Sequence, residues 1–82
     1  MSLALHYEPI ACILHERLEF AVLKRLHLQV QYLDSVGLAV VSAILPLDVY
    51  SGNAAEWLKM QHADGQVETI RLDALLTFSE LV

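Results

Sequence analysis

The sequence predicts a mainly β fold opened by one N-terminal helix, its five or so short strands curled into a small, antiparallel, partly closed barrel. Three observations predict it. An apolar period of 3.6 residues holds over 10–25, a period of two takes over at Leu26, and from there to the C-terminus short apolar runs alternate with turn residues. No stretch remains for crossover helices, so parallel pairing is excluded.

The helix is read over IACILHERLEFAVLKR, residues 10–25, with Pro9 where a helix can begin. Leu14, Leu18, Ala21 and Val22 form one apolar arc, fit to cover an open barrel end. His15, Glu16 and Glu19 fall on a different arc, facing solvent or a partner.

Leu26, Leu28, Val30 and Tyr32 then alternate with His27, Gln29 and Gln31, the pattern of a strand with one wet face. Asp34-Ser35-Val36-Gly37 supplies turn chemistry, and Leu38 to Ile44 reads as a second strand. Pro46 is expected to end it, which makes DVYSGNAA, residues 48–55, the longest loop. Glu56 to Gln61 is the third strand, Asp64-Gly65 a hairpin turn and Val67 to Leu72 the returning strand. Leu75 to Phe78 completes the set. At the last corner Ile70 and Leu72 are expected to face the core, Asp73 to begin the bend, and Leu76 and Phe78 to return inward.

The 82 residues suit one domain, 1–82, with the helix at about 10–25 and the barrel strands at about 26–79. Hydrophobic residues make up 56% of the chain, enough for a small core with apolar surface to spare, which leaves a homo-oligomer or an adaptor role open through Ile13, Phe20 and the strand around Val41. Five Lys and Arg stand against ten Asp and Glu. The resulting charge of −5 argues against binding a phosphate backbone and favours a basic partner. Tyr50 and Trp57 could stack on bases, but they have few basic neighbours, so direct nucleic-acid binding is the weaker reading.

Cys12 stands alone, which excludes an internal disulfide and suits a reducing cytoplasm. At a helix start it could be redox-sensitive, although a lone cysteine between Ala11 and Ile13 packs more often as a small hydrophobe. The N-terminus lacks the basic leader of a signal peptide, and the longest apolar run, Val36 to Leu47, is too short for a membrane span. His6, His15, His27 and His62 show no metal-ligand spacing, and Ser35, Ser42, Ser51 and Ser79 lack a nucleophile motif. Neither enzyme activity, metal nor cofactor is therefore expected.

Four segments together carry a resemblance. IRLDALLTFS, residues 70–79, looks like the C-terminal signature of the Rof family, the Rho-binding antiterminators of bacteria. YEPIAC at 7–12 resembles that family's Tyr-x-Pro-Ile-x-Cys, RLEFA at 17–21 its Asn-Leu-Glu-Leu-Ala, and EWLKM at 56–60 stands where it has Glu-Tyr-Leu and two apolar residues. The resemblance implies an Sm-like (SH3-like) barrel preceded by a helix. It also implies a non-enzymatic inhibitor that binds the N-terminal RNA-binding domain of the termination factor Rho and blocks RNA loading, carboxylates standing in for phosphates. The contact positions it implies are His15, Glu16 and Glu19 on the helix and Ser51, Gly52 and Asn53 in the loop between the second and third strands. This chain departs from the family in carrying Ile13-Leu14 where an acidic pair follows the cysteine, in a loop between the second and third strands that reads about four residues longer, and in His15 in place of a tyrosine. An alternative from another class is an Sm-like module that binds single-stranded RNA directly.

Overall fold

The computed structural model describes residues 12–81. Helix α1 spans Cys12–Lys24 and is followed by strands β1 (Leu28–Leu33), β2 (Ala39–Gly52), β3 (Ala55–His62), β4 (Val67–Arg71) and β5 (Leu75–Glu80). One turn of 3-10 helix, Leu72–Ala74, links β4 to β5. All neighbouring strands are antiparallel, in the order β4-β3-β2-β1-β5. The fold is thus mainly β, one helix with a five-stranded sheet curled into a small, partly open barrel. Pro9 and the rest of residues 1–11 lie outside the described residues, and no helix among those described is long and apolar enough to cross a membrane.

The end of the helix is capped by its own backbone. Arg25 adopts a left-handed conformation (φ 55°), its N–H donates to the Val22 carbonyl at 3.3 Å, and the Leu26 N–H donates to the Ala21 carbonyl at 2.9 Å. These are the two bonds of a Schellman motif, and they reverse the chain so that Leu26 packs against the core. Two more turns agree with the sequence expectation. The Asp34 carboxylate accepts the N–H groups of Val36 and Leu38 at 3.0 and 2.9 Å, with Gly37 at positive φ closing the loop. At the second, the Asp64 carboxylate accepts the Gln66 N–H at 2.9 Å and Gly65 takes φ 92°, a value that favours glycine.

The core is built by Leu18 and Ala21 of α1, Leu28, Val30 and Tyr32 of β1, Ile44 of β2, Leu58 and Met60 of β3, Ile70 of β4, and Leu72. The helix packs chiefly on β2. Of its expected apolar arc, Leu18 and Ala21 are buried and Val22 half-buried, whereas Leu14 stays exposed at the rim beside Leu75 and Phe78.

Two expectations are corrected. Pro46 does not end the second strand, and residues 48–55 are not a long loop: β2 runs on to Gly52 and turns directly into β3. Pairing with β1 stops at Ile44, so beyond it β2 has one free edge where a missing N–H costs no ladder bond. The register then passes from Pro46↔Met60 to Asp48↔Lys59, leaving Leu47 as a bulge that bends the strand and keeps Val49 packed against the core. At the last corner Ile70 and Leu72 are buried as expected, with Leu72 in the 3-10 turn, but Leu76 is exposed. A second irregularity, between Gln31↔Thr77 and Tyr32↔Leu75, passes over Leu76, so Leu75 and Phe78 pack against the core instead.

Candidate partner-binding face and a polar cluster

The β2–β3 connection is the tightest in the chain. Asn53 (φ 51°) and Ala54 (φ 60°) both lie in the left-handed region, the signature of a two-residue type I′ turn whose twist matches the flanking strands. Asparagine tolerates that conformation, whereas alanine holds it at a steric cost. The Trp57 indole N–H donates to the Gly52 carbonyl at 2.8 Å and fastens the turn to β3, with Tyr50 paired opposite Trp57. Ser51, Gly52 and Asn53 are exposed at this hairpin end.

A residue outside the expected contact set joins the hairpin to the helix. Glu56 pairs across the ladder with Ser51, and its Oε2 lies 3.3 Å from Nε2 of His15. The other ring nitrogen of His15, Nδ1, is 3.6 Å from Oε1 of Glu19, one helical turn on. The imidazole is thus held between two carboxylates, and it carries opposite charge to them only when protonated. His15, Glu19, Glu56 and Ser51 therefore share one junction. In the sequence Glu56 appears merely as the first residue of a strand, and no spacing links it to position 15.

Glu16 is separate from that junction. It lies on the outward side of α1, beside a cleft of about 340 Å³ between the helix, β1 and β5. Its neighbours on the helix are apolar: Ile13, Phe20 and Leu23 are 67%, 53% and 80% exposed. The Arg17 guanidinium stacks over the Phe78 ring at 4.9 Å, and the Lys24 ammonium lies over Phe20 at 5.8 Å. The outward helix surface is consequently mixed, carboxylates set among uncovered apolar side chains.

A polar cluster that the sequence did not reveal sits at the opposite end of β3. Oγ of Ser42 is 2.8 Å from Nδ1 of His62, whose Nε2 is 2.8 Å from Oε1 of Glu68, and the Tyr32 hydroxyl donates to the same Glu68 oxygen at 3.0 Å. The residues come from β2, β3, β4 and β1 and all point inward. Burial, with the hydrogen bond to Glu68 and its charge, pushes the Tyr32 hydroxyl up to about 12. With separations as uneven as these along the chain, only sheet register could have brought them together. Among the described residues no group of His, Cys, Asp and Glu is arranged to hold a metal ion.

No family model matches this chain, and no curated protein matches it. Among solved structures it is similar to proteasome accessory factor B/C (PafBC) of Arthrobacter aurescens, with a TM-score of 0.73 and 17% sequence identity over 89% of this chain. The likeness is one of fold. The chain spans 12% of the length of that protein.

Proposed function

We propose that the protein is a Rof-like inhibitor of transcription termination, acting in the cytoplasm by binding the N-terminal RNA-binding domain of Rho and obstructing RNA loading. The observation that carries this reading is the His15–Glu56 link, which brings His15 and Glu19 of the helix beside the β2–β3 hairpin. Glu19 and Glu56 thereby lie close to Ser51 of the hairpin, which supports reading this face as acidic on a chain of net charge −5, with Glu16 on the mixed helix surface beside it. A basic RNA-binding surface is attracted to such a face, and its steering weakens as salt rises. Exposed Ile13, at a position where the family carries an acid, offers an apolar contact in place of a charged one.

A titration against the N-terminal domain of Rho from the same organism, with labelled pyrimidine-rich RNA as competitor, tests this. The protein should displace the RNA, and Glu16→Lys combined with Glu19→Lys should weaken binding by at least roughly 10-fold while leaving the fold intact, since surface substitutions usually change stability by less than about 0.5 kcal/mol. No displacement at high micromolar protein would end the Rho reading. Direct RNA binding that tightens steeply as salt falls would put the single-strand binding module in its place.

A further inference from the structure

We propose that Ser42 is an activated nucleophile, with His62 as its general base and Glu68 as the positioning residue, able to take an acyl group from an activated ester. Glu68 sets the proton pattern of the cluster. An ionised carboxylate only accepts hydrogen bonds, so the contact at 2.8 Å requires His62 to carry its proton on Nε2. In the neutral ring Nδ1 is then the acceptor, and the Ser42 hydroxyl donates to it at 2.8 Å in preference to the Ala43 carbonyl at 3.5 Å. The Tyr32 hydroxyl, donating to the same carboxylate oxygen at 3.0 Å, holds Glu68 in place.

This is the polarity of a serine–histidine–carboxylate relay with the two ring nitrogens exchanged relative to the usual hydrolase arrangement. The exchange leaves the chemistry intact because the nitrogens are conjugated. In the step proposed, Oγ of Ser42 bonds to the ester carbonyl carbon as its proton passes to Nδ1 of His62. The bond from that carbon to the leaving oxygen breaks, and the departing alkoxide or phenolate takes the proton from His62. The products are an acylated Ser42 and a free alcohol, with no change of oxidation state. Ser42 is half-buried and the His62 side chain is 19% exposed, so both residues keep partial contact with solvent.

The site is independent of the Rho reading. It lies at the far end of β3 from Glu56, six residues away and so about 20 Å at the rise of a strand. Binding to Rho and acylation of Ser42 can therefore fail separately.

The experiment treats the intact protein with p-nitrophenyl acetate and locates the acetyl group by peptide mass spectrometry. Acetylation should appear on Ser42 and be slower by about 100-fold in His62→Gln, the usual scale of general-base assistance. Should His62→Gln fail to fold, the wild-type chain unfolded in guanidinium serves as the comparison and should leave Ser42 unmodified. Acetyl groups confined to lysines or the N-terminus would overturn the proposal. So would a Ser42 rate unchanged by His62→Gln or by unfolding.

Discussion

The hydroxyl of Tyr32 on β1 meets the carboxylate of Glu68 on β4 at 3.0 Å, although β2 and β3 lie between those strands in the sheet. The bond therefore crosses the barrel interior rather than following the ladder. Among the described residues β4 and β5 do not pair, so this side-chain contact closes part of what the backbone leaves open. Closure by a phenol and a carboxylate has a pH signature.

Tyr32 is neutral in the fold up to about pH 12 but ionises near the ordinary tyrosine value of 10.0 when unfolded. Its folded value is raised, so its stabilising contribution is complete below pH 10 and is lost as the pH climbs towards 12. Between pH 9 and 11 the loss should be on the order of 1 kcal/mol. Urea unfolding at the two pH values measures it. Tyr32→Phe should be less stable at pH 9 but should lack this loss on going to pH 11.

Ala54→Gly should stabilise the protein. The position has φ 60°, where a Cβ is strained and glycine is not, so relief of strain outweighs the extra freedom glycine gives the unfolded chain. A gain of about 0.5–1 kcal/mol is expected, read as a higher denaturation midpoint at unchanged slope. Arg25→Gly, at φ 55° in the helix cap, should act in the same direction.

Two leucines on one helix should behave oppositely. Leu18 is fully buried in the core, so Leu18→Ala should cost about 3 kcal/mol through lost transfer energy and the cavity left behind. Leu23 is 80% exposed, so Leu23→Ala should change stability by less than about 0.5 kcal/mol. Thermal unfolding of the pair separates the core-facing side of α1 from the side available to a partner.

Trp57→Phe keeps an aromatic ring opposite Tyr50 but removes the donor to the Gly52 carbonyl. A loss of about 1 kcal/mol is expected, with faster amide exchange at the β2–β3 turn. If Ser51, Gly52 and Asn53 contact Rho, affinity should fall as well, because ordering the turn would then be done at the expense of binding.

Much of this fold is legible in local pattern. The alternation from Leu26 to Tyr32 marks β1, Asp34-Gly37 and Asp64-Gly65 mark their turns, and Leu18 and Ala21 mark the helix face that is buried. The errors lie where a ladder slips. Pro46 reads as a stop because a proline cannot donate, yet at a free edge beside a bulge it has nothing to donate to. Leu76 reads as core by counting in twos from Phe78, and the slip at Tyr32 invalidates the count. The site divides in the same way. His15 and Glu19 are neighbours by helical spacing, but Glu56 joins them only through tertiary packing, and Ser42, His62 and Glu68 meet only because three strands are in register.

β2 pairs with β1 over Ala39 to Ile44 and with β3 over Ile44 to Gly52, so Ile44 is its one residue partnered on both sides. Mechanically, the strand is a shaft carrying two hairpins on a common pivot, with the Leu47 bulge set just beyond the bearing. The two hairpins therefore share no ladder residue but Ile44, and the helix braces the same strand.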